Sequence, residues 1–266
     1  MNNPVKLFIV EGEIRDFRFV NVMTKCFFST GRFQAKIINL PAAQNIYMLY
    51  KSLKEDDFDT DVVELLRDKV PIAQKILEGI SRDEIDEVYL FFDYDTHQKN
   101  VPWASELTAD DIVKTLLSFF NNETEYGKMY LSYPMVEALY DYIPMMCQSF
   151  TECYIPLDQV GDYKRISTDG NPKANVHFNI SEWSEVLAVF VMRIKCLFDL
   201  ADLSYELYRD IINPESIFDK VVEIKQDRNS VFVLSCFPEF LFDYHRIDFW
   251  NTFAKLKHFK FDNCTK

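Results

Sequence analysis

The sequence predicts an α/β fold, in which a mainly parallel sheet is flanked by helices, followed by a mostly helical C-terminal domain. Short apolar runs typical of buried strands alternate with helical patterns through about residue 150, and this alternation is typical of parallel sheets. Beyond that point sustained apolar stripes at helical spacing replace the alternation. We therefore expect two domains, 1–150 and 151–266, with a helical insertion at about 43–86 in the first.

The first predicted strand is KLFIVEG (6–12), which ends at Glu11 and Gly12. The segment IRDFRFVNVMTKCF then places Phe17, Val20 and Met23 at roughly helical spacing, and FQAKIINLP (33–41) is a second strand closed by a proline. A helix that joins two such strands predicts a βαβ unit with parallel strands. Residues 43–86 carry helical patterns with a bend expected at Pro71.

The third predicted strand is VYLFFDYD (88–95), and the fourth is KMYLSYP (128–134). Between them, residues 108–123 form a predicted helix with Thr108 as its N-cap. In the second domain, residues 181–212 carry a sustained apolar stripe at helical spacing with Ser181 as the candidate N-cap, and 213–266 are predicted to be helical with one apolar run, SVFVLSCFPEFLF.

The composition indicates a globular, acidic protein. The chain has 266 residues, of which 48% are hydrophobic and 15% aromatic, and its net charge is −13. A negative net charge argues against non-specific electrostatic binding of nucleic acid by the protein surface, although a bound divalent metal can make the charge locally positive. No apolar stretch is long enough to span a bilayer, so we expect a cytoplasmic protein without membrane contact. The six cysteines lack the spacing of a zinc site.

Acidic residues recur where the predicted strands end. Glu11 ends the first strand, Asp93 and Asp95 end the third, Glu137 follows the fourth, and Asp16 lies one turn beyond Glu11. In open α/β sheets, ligands bind at the carboxyl ends of the strands. Several carboxylates without histidine or cysteine suit a hard cation, so we expect Mg²⁺ or Mn²⁺ and phosphoryl-transfer chemistry.

The motifs IVEG and, after a second hydrophobic strand, DYD resemble the Toprim domain of type II topoisomerases, DnaG-type primases and OLD-like bacterial defence nucleases. The resemblance covers about residues 6–145. It implies that Glu11 acts in acid/base chemistry or as a metal ligand, and that Asp93 and Asp95 bind metal. The stretch SYPMVE resembles the segment in which these nucleases carry a further acid, which implies a role for Glu137.

The sequence also departs from the family pattern. Arg15 stands where the family often has its next acid, so Asp16 is the candidate ligand there, and Lys128 is the candidate for the lysine that some members use. The resemblance implies a nuclease that cleaves DNA or RNA, including tRNA, as an effector of anti-phage defence. Because the chain has no GxxxxGK[ST] motif, a regulatory ATPase would be a separate partner. A homodimer is compatible with this expectation.

Three alternatives remain open. FFDYDT also fits the DxDxT signature of haloacid-dehalogenase-type phosphatases, with Asp93 as nucleophile, Asp95 as acid/base and Ser132 in a later motif. The acids could instead only begin or cap helices, where the helix dipole favours them. Finally, the Toprim-like half could be a non-catalytic subunit that binds a partner.

Overall fold

The computed structural model describes residues 3–12, 14–28, 32–41, 44–94, 96, 106–141, 153–169, 171, 174 and 178–255. The predicted α/β fold is confirmed. Five of the described strands form one sheet: β1 (Val5–Val10), β2 (Gln34–Asn39), β3 (Ile85–Asp93), β4 (Asn121–Asn122) and β5 (Gly127–Ser132). Their order in the sheet is β2-β1-β3-β5-β4. Strand β1 pairs in parallel with both β2 and β3, as expected for consecutive βαβ connections.

The edge of this sheet differs from the prediction. Helix α5 (Ala109–Phe119) begins after the predicted N-cap Thr108 but ends before residue 123. Asn121 and Asn122 instead form β4, which pairs antiparallel with the start of β5. Two residues are too few to show a strand period in the sequence, so this short hairpin had no detectable signal.

Helix α1 (Arg15–Phe27) connects β1 to β2, and its buried face is shifted from the predicted stripe. Phe19, Val20 and Met23 are buried, whereas Phe17 is 39% exposed. Strand β1 is buried along its whole length and β3 along most of it, as central parallel strands are. The central strands β1 and β3 are therefore largely apolar, although Lys6 is buried within β1.

The expected helical insertion lies between β2 and β3. It comprises α2 (Ile46–Lys54), α3 (Val62–Lys69) and α4 (Pro71–Ile76), followed by a 3₁₀ helix, Arg82–Glu84. Pro71 does not bend a continuous helix but occupies the first turn of α4, where its missing N–H is not needed. Asn45 and Asp61 cap α2 and α3 by accepting backbone N–H groups.

The chain divides into two compact units. The first unit is Met1–Asp93 with Gln98–Tyr130, and the second is Tyr94–His97 with Leu131–Lys266. The sequence-based division at residue 150 stays a prediction. In the second unit, the described helices after the 3₁₀ helix Val136–Tyr140 are α6 (Tyr163–Thr168), α7 (Ile180–Leu197), α8 (Tyr205–Ile211), α9 (Pro214–Arg228) and α10 (Cys236–Phe253).

The helical stripe predicted for residues 181–212 is divided between two helices, α7 and α8, and the predicted N-cap was wrong. Asn179, not Ser181, caps α7, because its side chain accepts the N–H groups of Ser181 and Glu182. The helix ends at Leu197, and Asp199 then adopts a left-handed backbone before α8. A small antiparallel sheet of β6 (Tyr154–Pro156) and β7 (Ser230–Phe232) also belongs to this mostly helical unit.

Helix α10 is kinked at Arg246, whose backbone leaves the helical region with φ 63° and ψ −148°. Among the helices that the structure describes, none is both long and apolar enough to cross a bilayer.

Candidate functional site

Glu11 and Asp93 lie side by side at the carboxyl ends of adjacent parallel strands. Val10, the last residue of β1, pairs with Phe91 of β3, so the residues that follow each of them share one edge of the sheet. The backbone N–H of Glu11 donates to the Phe91 carbonyl at 3.2 Å and extends this ladder by one bond. The parallel register therefore fixes where the Glu11 side chain begins, as the sequence predicted.

The Glu11 carboxylate also contacts the backbone of Asp93 directly. Glu11 Oε2 accepts the Asp93 N–H at 3.2 Å, across 82 positions of sequence. Both residues are half-buried. A hydrogen bond to one carboxylate oxygen restricts the rotamers of Glu11 and holds its negative charge at the Asp93 backbone, where a cation could neutralise it.

Asp16 is the third of the candidate site acids that lie in the first unit, and its side chain folds back over Gly12. Its side chain is buried, with 6% of the residue exposed. A Cβ atom built on Gly12 would lie 2.1 Å from Asp16 Oδ2 and 2.9 Å from its Cγ. Glycine after Glu11 is thus required for this close approach, which brings the Asp16 carboxylate against the turn that follows β1.

The helix-capping alternative fits these three acids unequally. Glu11 contacts the end of a strand, and α1 begins after Ile14, whose apolar side chain is no cap. Asp16, in contrast, lies in the first turn of α1, where an acid complements the helix dipole. The capping alternative therefore loses support for Glu11 and keeps it for Asp16.

Asp95 and His97 lie outside the described residues, so the second aspartate of the DYD motif has no described position. Tyr94 between the aspartates is described, and it is almost fully buried. Its backbone N–H donates to the Ser132 carbonyl at 2.9 Å and so prolongs the pairing of β3 with β5 beyond Asp93.

Glu137 belongs to the second unit, where it lies in the 3₁₀ helix Val136–Tyr140. It is buried with 3% exposure, and Lys164 Nζ on α6 lies 3.9 Å from its Oε1. A buried carboxylate is stabilised by such a cation, so this contact supplies a structural reason for Glu137. Its predicted role beside Glu11 and Asp93 stays a prediction.

Lys128 lies near the start of β5. Gly127 packs against Leu90 and Val88, while Ser132 bonds to Tyr94, so β5 runs in the same direction as β3. Lys128 is four residues before Ser132, or roughly 13 Å at the usual rise of a strand. Its ammonium group lies 5.5 Å from the centre of the Tyr130 ring. This placement adds no support to the predicted catalytic role.

Ser132, which the phosphatase alternative requires, is engaged elsewhere. It is 1% exposed, donates its hydroxyl proton to Cys236 Sγ at 3.2 Å and accepts the Cys236 N–H at 3.4 Å. A hydroxyl buried and bonded at the start of α10 is not presented to a phosphate group. The geometry of Ser132 therefore weighs against that alternative.

The donor chemistry of the Glu11–Asp93 pair fits Mg²⁺ or Mn²⁺, because both ions prefer oxygen ligands. Within the described part of the chain, no group of three or more His, Cys, Asp or Glu residues is gathered as a metal centre would be. The pair alone supplies two carboxylates, and Mg²⁺ is commonly held by one or two carboxylates with water and substrate oxygens.

Sequence reasoning missed one polar residue at this edge. Asn39 ends β2 and pairs with Val10, so it occupies the carboxyl end of the strand on the other side of β1. Its amide carbonyl is a further oxygen donor of the kind that hard cations accept. The signal was available, since Asn39 precedes the Leu40-Pro41 end of the strand, but only carboxylates were considered.

No protein-family model, no curated protein and no solved structure matches the chain.

Proposed function

We propose that this protein is a Toprim-like nuclease that hydrolyses phosphodiester bonds with the help of Mg²⁺ or Mn²⁺. One observation supports the proposal above all: Glu11 Oε2 accepts the Asp93 N–H at the shared carboxyl edge of two parallel strands. The glutamate of IVEG and the first aspartate of DYD thereby lie at one place. Toprim-like chemistry requires this convergence, because its acids must act on a single phosphate group.

Each residue has a distinct role in this proposal. A bound divalent cation would polarise the phosphodiester and lower the pKa of an attacking water. Asp93 and Asp95 would ligate the cation, and Asp16, which lies next to Gly12, would be a further ligand. Glu11, held by the Asp93 N–H, would ligate the cation or transfer a proton to the leaving oxygen.

The acidic balance of the chain is consistent with this mechanism. A chain of net charge −13 repels a polyanion unless its charge is offset locally. Carboxylates gathered at one strand edge attract a divalent cation, and the cation in turn attracts phosphate. The substrate is DNA or RNA, including tRNA, and a separate ATPase would supply regulation, as the resemblance implies. Glu137 and Lys128 are kept as secondary candidates.

The test is cleavage of single- and double-stranded DNA and of RNA, including tRNA, with Mg²⁺, Mn²⁺ or a chelator. Glu11→Gln and Asp93→Asn preserve shape while removing charge, and each is expected to lower the rate by at least ~100-fold. Asp68→Asn is the matched control, because Asp68 lies exposed on α3 in the same unit. It is expected to cleave like the wild type.

Two outcomes would contradict the proposal. Hydrolysis of a small phosphomonoester that depends on Asp93 but not on Glu11 would identify the phosphatase alternative. Wild-type protein that binds a partner but cleaves no nucleic acid, with Glu11→Gln and Asp93→Asn unchanged in every assay, would identify the non-catalytic subunit.

A further inference from the structure

Tyr94, the residue between Asp93 and Asp95, is held by aromatic packing within the second unit. Only 1% of it is exposed. Its ring centre lies 5.5 Å from that of Tyr133 and 5.5 Å from that of Phe218 on α9, which it meets edge to face at 89°. Aromatic pairs in these geometries favour a single ring position.

Lys225 of α9 holds the hydroxyl end of the same side chain. Its ammonium group donates to the Tyr94 hydroxyl at 2.6 Å, and its Nζ lies 5.2 Å from the ring centre. Lys225 is half-buried, so this charged hydrogen bond forms partly away from solvent. The Tyr94 backbone is fixed as well, by its bond to the Ser132 carbonyl. Tyr94 is thus anchored at its backbone, along its ring and at its hydroxyl.

Tyr94 extends the pairing of β3, in which successive side chains point to opposite sides of the strand. With Tyr94 directed into the packed interior, the side chain of Asp93 before it is directed the other way. An anchor on Tyr94 therefore limits rotation of the neighbouring backbone on which Asp93 is placed.

We infer that Tyr94 and Lys225 are positioning residues that orient Asp93, the first aspartate of the DYD motif, for a divalent cation. The inference rests on the proposed function, because it assigns these residues to the same metal site. Neither side chain touches the cation in this assignment; both act through the backbone. Groups that orient metal ligands typically change metal affinity by ~10-fold or more when they are removed.

The test measures Mn²⁺ binding without substrate, by calorimetry or by the loss of the free-ion signal in electron paramagnetic resonance. Tyr94→Phe keeps the ring and removes the hydroxyl; Lys225→Met keeps the apolar stem and removes the charge. Each is expected to weaken binding by ~10-fold. Because both changes remove one hydrogen bond, the double variant is expected to bind no more weakly than either single variant.

Lys220→Met is the matched control on the same helix, since Lys220 pairs with Glu223 at 2.7 Å on the exposed surface. It is expected to bind Mn²⁺ like the wild type. Lys225→Arg retains a cationic donor and is expected to recover binding to within ~3-fold of the wild type. Thermal unfolding of every variant separates a change in metal affinity from loss of folding.

The outcomes separate the inference from the function on which it rests. If the wild type binds no Mn²⁺, or Asp93→Asn binds Mn²⁺ as tightly as the wild type, the positioning role and the proposed function are both overturned. If Asp93→Asn loses binding while Tyr94→Phe and Lys225→Met retain wild-type affinity, only the positioning role is overturned. Additive losses in the double variant also overturn it, because two independent effects would not run through one bond.

Discussion

Replacing Gly12 with alanine is expected to disturb the candidate metal site without removing any of its acids. The new Cβ would lie 2.1 Å from Asp16 Oδ2, whereas real Cβ atoms essentially never approach other atoms closer than 3.0 Å. The carboxylate must therefore move by about 1 Å. The clashing atoms are the far end of the Asp16 side chain, which can rotate, so the carboxylate rather than the backbone gives way.

The expected effect on folding is small and the effect on metal binding larger. Alanine restricts the unfolded chain and stabilises the protein by about 0.4–1 kcal/mol where the native backbone accepts it. The displaced carboxylate offsets this gain, so the free energy of unfolding should change by no more than about 1 kcal/mol. A misplaced ligand group commonly lowers metal affinity by ~10-fold, which is the expected loss for Mn²⁺.

A double-mutant cycle with Asp16→Ala tests whether the clash is the cause. In the Asp16→Ala background the two clashing atoms are absent, and the Cβ of residue 16 lies 3.6 Å from the new Cβ, which is an ordinary contact. Gly12→Ala should then change Mn²⁺ affinity by less than ~2-fold, although Asp16→Ala alone weakens binding. Titration calorimetry of the four proteins gives the coupling. If Gly12→Ala lowers Mn²⁺ affinity equally in the wild-type and the Asp16→Ala backgrounds, the clash with Asp16 is not the cause.

Two further predictions concern stability. Thr108→Ala removes the capping box of α5, in which Thr108 Oγ1 accepts the Asp111 N–H at 3.1 Å. This change should lower the free energy of unfolding, measured in urea, by ~1 kcal/mol. As a control, Thr115→Ala in the same helix should change the free energy of unfolding by less than ~0.5 kcal/mol. Burial lowers the pKa of His245 to about 4, so below pH 6.5 the unfolded chain takes up a proton that the folded chain refuses, and stability falls as the pH drops from about 6.5 towards 4. Because His245 is only half-buried, the free energy of unfolding should fall by no more than about 1 kcal/mol between pH 7.5 and 5.5. His245→Gln should remove this pH dependence. If the pH dependence of that variant equals that of the wild type, His245 is not its cause.

That Glu11 and Asp93 stand at the same edge of the sheet could be predicted because it depends on strand direction, whereas only the structure showed that β1 and β3 are neighbours. Parallel neighbours end at the same edge, and both acids stand at or just after a strand end that the apolar runs made visible. Thr108 was predictable for a similar reason, since an N-cap acts on residues within one turn of itself. The break between α7 and α8 was not, because Asp199 adopts its left-handed backbone without a glycine or proline to mark it.

The sequence by itself determined which residues form β1, β2, β3 and β5, and that acids stand at or after the ends of β1, β3 and β5, because strand and helix periods are local properties of the chain. Only the tertiary structure decided what surrounds those acids. The clash that makes Gly12 necessary appears once Asp16 has turned back over it. The bond from Lys225 to Tyr94 joins residues 131 positions apart, and such a contact depends on how helices pack, which no local period encodes.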